Sequence, residues 1–294
     1  MRRLIVSISS GLLAVVLAAC GSGSGSGSTT SSTAASGGGT SAAASCTYQG
    51  VQPYLYKHGV LTVATDKPAY YPWFWVNNPS NGLGYESGVA YAIAKQLGFK
   101  KSQVVWTYEP FNASYAPGPK HFDFDINEIS YTPARATVVT FSTSYYDVQQ
   151  ALVALKGSKI ASAHSPSDLK KYVYGDQIGT TSLAYIEQNI RPTQPVKPYQ
   201  TLNDVKEALQ THQVDAFVTD LPTAQYISAY QVPHSEVVGA FPSTGEHYGL
   251  LFAKGDKLAT CVDKAITAIQ QKGTLAYLQR RYLKIYTSIP TIKP

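Results

Sequence analysis

Phe122-Asp123-Phe124-Asp125-Ile126-Asn127-Glu128-Ile129-Ser130-Tyr131-Thr132-Pro133-Ala134-Arg135 opens as a strand, Phe122 to Ile126, and runs on into a polar segment carrying Glu128, Ser130 and Arg135. Upstream, Val104 to Tyr108 reads as another strand. Ser87 to Leu97 reads as a helix, with Val89, Ile93 and Leu97 on one face and Gly98 at its end. Val60 to Thr65 is a short β-rich run before the turn-prone Asp66-Lys67-Pro68. The pattern restarts downstream. Lys171 to Tyr174 leads toward the Gly179-Thr180-Thr181 turn, a helix fits Ser182 to Asn189, and Val196 to Tyr199 is strand-like. Thr201 with Asp204 forms an acidic variant of the capping box ahead of Leu202, Val205 and Leu209. Val214 to Thr219 is strongly β-like and ends at Asp220, and Tyr248 to Phe252 returns to strand character. Leu258, Val262, Ala265, Ile266 and Ile269 make a helical stripe closed by Gly273, and a last helix fits Leu275 to Leu283.

Strands alternating with helices predict βαβ units. There are two such α/β units here, each expected to hold a mostly parallel sheet flanked by helices, the second inserted before the final helices. Ligands of open α/β sheets sit at the carboxyl ends of strands, and Asp66, Ser130, Thr181 and Asp220 lie there.

The chain begins with Arg2 and Arg3, an apolar run from Leu4 to Ala19, and Leu17-Ala18-Ala19-Cys20. This is the layout of a secretory signal, and its core is shorter than the roughly 20 apolar residues that span a bilayer. A retained anchor helix is the alternative. Leu-Ala-Ala-Cys resembles the bacterial lipobox, which implies a signal peptide over residues 1–19, cleavage before Cys20 and lipid on its sulfur. Acyl chains would then hold the protein to a membrane surface. Residues 20–45 are almost wholly Gly, Ser, Thr and Ala, the composition of a flexible tether. The 249 residues from Cys46 onward suffice for two lobes or one large domain. The net charge of +6 falls to +4 without Arg2 and Arg3 and has no basic run, which argues against nucleic acid as a partner.

Enzyme signatures are missing from the sequence. The six His are scattered, and there is no HExxH, zinc-spaced Cys–His cluster, nucleophile elbow or P-loop. No cofactor or metal is expected. With Cys20 lipidated, Cys46 and Cys261 remain in an oxidising compartment, where disulfides persist. A bond between them would tie the start of the domain to its C-terminal helix; two separate thiols are the alternative.

An ordered series of motifs then resembles the polar amino-acid family of extracellular solute-binding proteins that serve ABC importers. It comprises Thr65-Asp66-Lys67-Pro68-Ala69-Tyr70-Tyr71-Pro72-Trp73-Phe74, Gly84-Tyr85-Glu86, Ala94-Lys95-Gln96-Leu97-Gly98-Phe99, the quoted Phe122–Arg135 stretch, Phe141-Ser142-Thr143-Ser144-Tyr145-Tyr146, Gly179-Thr180-Thr181, and Val214-Asp215-Ala216 with Asp220. The resemblance spans nearly all of Cys46 to Leu283. It implies a type II periplasmic-binding-protein fold with the ligand in the cleft between two lobes. One lobe is expected from residues 46–150 with 250–294 and the other from 151–249, hinged near Gln150–Val153 and Tyr248–Leu251.

The resemblance also implies roles. Arg135 would clamp a ligand carboxylate, since its planar fork makes two parallel charge-assisted bonds; by itself it reads as a surface or helix-start arginine. Asp220 would receive an α-ammonium, although an Asp ending a strand ahead of Leu221-Pro222 also reads as a helix cap. Thr180 and Thr181 would offer donors at a helix start, and Ser130 a further bond to the head group. Glu128 stands where the family commonly uses a backbone carbonyl. Asp66, Tyr70, Trp73, Phe74 and Phe111 would form the side-chain end of the pocket, with Phe74 the readiest to be plain core. Gln177 replaces a Lys found in some relatives. Asp66 and Glu128 set against one cation, Arg135, disfavour an acidic ligand and favour a basic or neutral polar amino acid. The expected protein is thus a non-enzymatic, monomeric, extracytoplasmic lipoprotein handing an amino acid to a membrane permease. The alternative is a cyclohexadienyl or arogenate dehydratase on the same fold, with Glu128 as its acid.

Overall fold

The strand β1 (Leu61–Thr65) is buried along its whole length, as a strand covered on both faces must be. A computed structural model of the protein describes residues 45–163, 165–284 and 289–292. Residues 1–44 lie outside the described residues, and with them the signal segment, Cys20 and nearly all of the tether. Along the chain, β1 is followed by β2 (Val104–Tyr108), β3 (Phe124–Asp125), β4 (Thr140–Asp147), β5 (Gln150–Leu155), β6 (Gly175–Gln177), β7 (Lys197–Tyr199), β8 (Ala216–Asp220), β9 (Ser235–Ala240) and β10 (His247–Phe252).

Five strands make a first sheet in the order β2-β1-β3-β10-β4. A second sheet has the order β8-β5-β9, with β6 and β7 paired beside it. The expected parallel pairing holds for β1 with β2 and β3, and for β6 with β7. The first sheet is nevertheless mixed, with β10 antiparallel to β3 and β4, and the three-stranded sheet is antiparallel throughout, β5 pairing so with both β8 and β9. The short links β4–β5 and β9–β10 carry the chain between the sheets, so β4 lies beside β10 in the first and β5 beside β9 in the second, both pairs antiparallel.

The helix Tyr85–Gln96 buries Val89 and Ile93 as the periodicity predicts. It stops where Gly98 takes φ +90°, a conformation most side chains resist. At Thr201 the capping box is realised: Thr201 Oγ1 accepts from Asp204 N at 3.2 Å and Asp204 Oδ2 accepts from Thr201 N at 2.9 Å. The stripe from Leu258 to Ile269 lies in a helix, Leu258–Gln271, and is buried in the first core with β1, β10 and the helix Tyr85–Gln96. Cys46 and Cys261 form a disulfide. Among the described residues no helix is long and apolar enough to cross a membrane.

Some boundaries move. The strand expected over Phe122–Ile126 contracts to Phe124–Asp125, because Asp123 turns its carboxylate to the backbone N–H groups of Tyr56 and Thr62, at 2.6 and 2.5 Å. The helix expected over Ser182–Asn189 starts at Thr181 and becomes π-helical from Ile186 to Ile190. Residues 289–292 do not stay with the first lobe, where residues 250–294 were expected. Thr291 bridges Ala240 on β9, with Ala240 N donating to Pro290 O at 2.8 Å and Ile292 N to Ala240 O at 2.9 Å. Ile292, 2 % exposed, packs into the second core. An outer strand leaves backbone groups unpaired, and the tail covers them.

Candidate ligand-binding cleft

Between the two sheets lies a small cavity of about 80 Å³, lined by Asp66, Tyr70 and Phe111 from the first half of the chain and by Thr180, Thr181 and Ser182 from the second. Its walls come from strand ends on both sides: Asp66 follows β1, Glu128 follows β3, Gln177 ends β6 and Asp220 ends β8.

Asp66 accepts from Lys67 N at 2.6 Å and from Phe111 N at 3.4 Å, and burial raises its pKa against those bonds. Glu128 sits at φ +53°, a left-handed conformation uncommon outside glycine. Its N–H donates to Glu86 Oε1 at 2.7 Å and its carboxyl meets Thr223 Oγ1 at 3.5 Å. Burial, and then the neighbouring Asp220 charge, push its pKa well up. Glu86, wholly enclosed beneath it and also bonded to the Tyr145 hydroxyl, is raised by burial to about 8. Asp220 does what its helix-cap reading predicts: Oδ1 accepts from Thr223 N at 2.9 Å at the start of the helix Leu221–Tyr226. It also lines the cavity, and burial raises its pKa to about 6.

Arg135, 8 % exposed, stands beside Phe111, its guanidinium 5.6 Å from the centre of that ring. Its guanidinium donates to Ser130 O at 2.7 Å and to Gly179 O at 2.8 Å, and lies 4.3 Å from the centre of the Tyr115 ring. The bond to Gly179 joins the two halves of the molecule and brings the cation beside the helix start at Thr181. Thr180 caps that helix, accepting from Leu183 N at 3.0 Å. Thr181 Oγ1 lies 3.2 Å from Ser130 Oγ.

The cavity therefore gathers Asp66, Tyr70, Phe111, Glu128, Gln177, Thr180, Thr181 and Asp220. Ser130 and Arg135 stand behind its wall and do not line it. Trp73 and Phe74, expected at the pocket's side-chain end, are fully buried in the first core. Trp73 meets the edges of Tyr85, Tyr146 and Tyr248, and its Nε1–H donates to Thr223 Oγ1 at 2.7 Å. Burying so large an aromatic stabilises the core, and its polar edge needs that partner.

The sequence did not single out Asn127, Gln150, Asp176, Ser182, Leu202, Thr219 or Tyr248 as lining residues. Gln150 and Tyr248 fall inside the two spans it named as the hinge, which was the available signal. Glu246 was missed as well: its carboxylate accepts from Ser130 Oγ at 2.6 Å and from Gln150 Nε2 at 3.0 Å, while Gln150 Oε1 accepts from Ser182 Oγ at 2.9 Å. Among the described residues no cluster of three or more His, Cys, Asp or Glu is placed to hold a metal ion.

The sequence model of bacterial extracellular solute-binding proteins, family 3, matches residues 61–285. The chain belongs to this family. Its fold is the two-lobed type II periplasmic-binding-protein fold, and the family is extracytoplasmic. Among curated relatives, the ABC transporter glutamine-binding protein of Bacillus subtilis is 28% identical over 221 residues, covering 72% of this chain and 77% of that one. Among solved structures, an ancestral arginine-binding protein bound to glutamine superposes with a TM-score of 0.66 at 28% identity, covering 77% of this chain and 98% of that one. An ancestral amino acid-binding protein, a precursor of cyclohexadienyl dehydratase, gives a TM-score of 0.63 at 26% identity, covering 77% and 96%.

Proposed function

We propose that this solute-binding protein captures an amino acid with a basic or neutral polar side chain and delivers it to an ABC permease. The observation that carries the reading is the charge layout of the cleft. Asp66, Glu128 and Asp220 line the cavity, and the guanidinium of Arg135 stands just behind its wall, bonded to Gly179 O and beside Phe111. A zwitterion fits with its carboxylate toward Arg135 and the N–H groups at Thr181, and its ammonium toward Asp220 and Glu128. A buried ammonium without a charged acceptor would cost several kcal/mol. The remaining carboxylate, Asp66, then favours a side chain that donates hydrogen bonds or is cationic, and Gln177 adds no positive charge there. The glutamine- and arginine-binding relatives agree with this ligand class.

In this proposal residues 46–150 and 250–284 make one lobe, and 151–249 with the 289–292 tail make the other. They close about the β4–β5 and β9–β10 links, and the closed form presents a surface to the permease. Residues 1–19 direct export, Cys20 carries the lipid that anchors the protein to the membrane, residues 20–45 tether it, and it works as a monomer. The dehydratase alternative is supported by likeness to the dehydratase precursor. Against it, the candidate acid Glu128 already belongs to a carboxylate group suited to an ammonium.

A thermal-shift screen of the twenty amino acids tests the reading. Stabilisation is expected with arginine, lysine, histidine or glutamine by mass action, and none of it in Arg135→Ala. Tightest binding of glutamate or aspartate, or turnover of arogenate, would reject it.

A further inference from the structure

Beside the cleft lies a much larger cavity, about 650 Å³, whose walls come from the loop 68–77 on one side and from Asn203, Tyr226, Tyr230 and Gln231 on the other. It borders the ligand cleft at the side-chain end. Tyr70 lines both cavities, and the neighbouring residues Leu202 and Asn203 line one each.

Its wall is a run of four rings crossing from one lobe to the other. Trp75 meets Tyr71 at 5.2 Å between ring centres, Tyr71 meets Tyr226 at 4.5 Å, and Tyr226 meets Tyr230 at 5.2 Å. The outermost two keep much of their surface free: Trp75 is 43 % exposed and Tyr230 72 %. Val76 and Asn77 both take left-handed φ, +49° and +52°, a strained state for a β-branched residue that recurs where loops are shaped for a ligand. Asn77 Oδ1 fixes the turn by accepting from Ala69 N at 2.7 Å. Polar groups edge the aromatic floor, including Asn203 and Gln231, the latter accepting from Lys206 Nζ at 3.0 Å.

We propose that this groove is a second ligand subsite, taking a flat, polar-edged ring carried on the side chain of the amino acid held in the cleft. The inference rests on the amino-acid reading of the cleft and extends it: the natural ligand is a side-chain-substituted amino acid, with its zwitterion between Arg135 and Asp220 and its ring against Trp75 and Tyr230. Aromatic faces supply area to such a ring at little entropy cost, and ring pairs favour stacked or edge-on contact at these separations. Because the ring run needs both lobes, an occupant touching both would favour the closed form.

The test pairs free amino acids with arylated counterparts whose α-amino and α-carboxylate groups are intact: glutamine with γ-glutamyl-p-nitroanilide, and lysine with Nε-benzoyl-lysine. Calorimetry is run on the wild-type chain, Trp75→Ala, Tyr230→Ala and the control Tyr230→Phe, with thermal melting to verify folding. An arylated compound is expected to bind at least as tightly as its parent. Each Ala variant is expected to weaken it about 2- to 12-fold, the range of one ring pair, with the parent unchanged and Tyr230→Phe close to wild type. Parents that bind while both arylated compounds are excluded, or Ala variants that shift parent and arylated compound equally, would overturn the subsite alone. Arylated compounds binding where no free amino acid does would overturn the free amino-acid ligand but keep the subsite. No binding by any of the four would overturn the subsite, and the amino-acid reading of the cleft falls with it only if arginine and histidine also fail to bind.

Discussion

Replacing Asp220 with Asn separates the two tasks its position imposes. The side chain caps the helix Leu221–Tyr226 through Thr223 N and also presents a carboxylate to the cleft. Asn caps a helix about as well as Asp, so Asp220→Asn should fold with a melting temperature close to wild type. Losing a negative charge beside Glu128 also removes a repulsion that helps push the Glu128 carboxyl up. Binding should behave quite differently. Removing the charged partner of a buried ammonium costs about 2–5 kcal/mol, and a mid-range 3 kcal/mol corresponds to about 150-fold in Kd. Asp220→Ala should lose the same affinity and, in addition, the cap. That second loss is about 1 kcal/mol, or about 2–4 °C in Tm for a chain of this size. Calorimetry at pH 7.5 with the best amino acid from the screen, alongside differential scanning calorimetry of both variants, gives the two readouts. If Asp220→Asn binds within threefold of wild type, Asp220 is only a cap and the ammonium assignment fails. If Asp220→Asn melts as low as Asp220→Ala, the capping account fails instead.

Affinity should also depend on pH. Burial raises Asp220 to about 6 and pushes Glu128 well above the usual carboxylate range. A bound ammonium favours their charged forms, so binding releases protons, and affinity should fall as pH drops from 8 to 5; calorimetry in buffers of different ionisation enthalpy measures the release. The same raised carboxyls bear on stability with a fixed sign. The native state holds protons that the unfolded state has lost above about pH 4, so their contribution is fully present in acid and diminishes as pH rises through 6 and beyond, which urea titrations of the empty protein at pH 5 and 8 would show. Arg135→Lys should reduce affinity about 100-fold, because an ammonium cannot bond Ser130 O, Gly179 O and a carboxylate in one planar fork; titration with the screened ligand checks it. Replacing Cys46 and Cys261 together with Ser opens a link between residues 215 apart in sequence and should cost about 3–5 kcal/mol, read by chemical denaturation. Trp73→Ala should cost about 3–5 kcal/mol as a large core truncation, lowering Tm whether or not ligand is present.

What the sequence determined by itself was local. The stripe at Val89, Ile93 and Leu97, the Thr201–Asp204 capping box and the run Leu258–Ile269 are patterns within a few turns, and short-range physics is enough to place them. The strand-end rule likewise named Asp66, Thr181 and Asp220, which line the cavity, and Ser130, which stands behind it. Tertiary structure decided which side chains meet across the gap between lobes. Trp73 and Tyr70 stand three residues apart in one loop, yet one is sealed in the core and the other lines the cleft, and nothing in their spacing separates them. Glu246 joins Ser130 to Gln150 only because β10 returns beside β4, and Ile292 crosses to the second core because β9 leaves an edge to cover. Contacts between residues fifty or more positions apart depend on how two sheets come together, and that geometry is set by the packing of the whole chain rather than by any one segment of it.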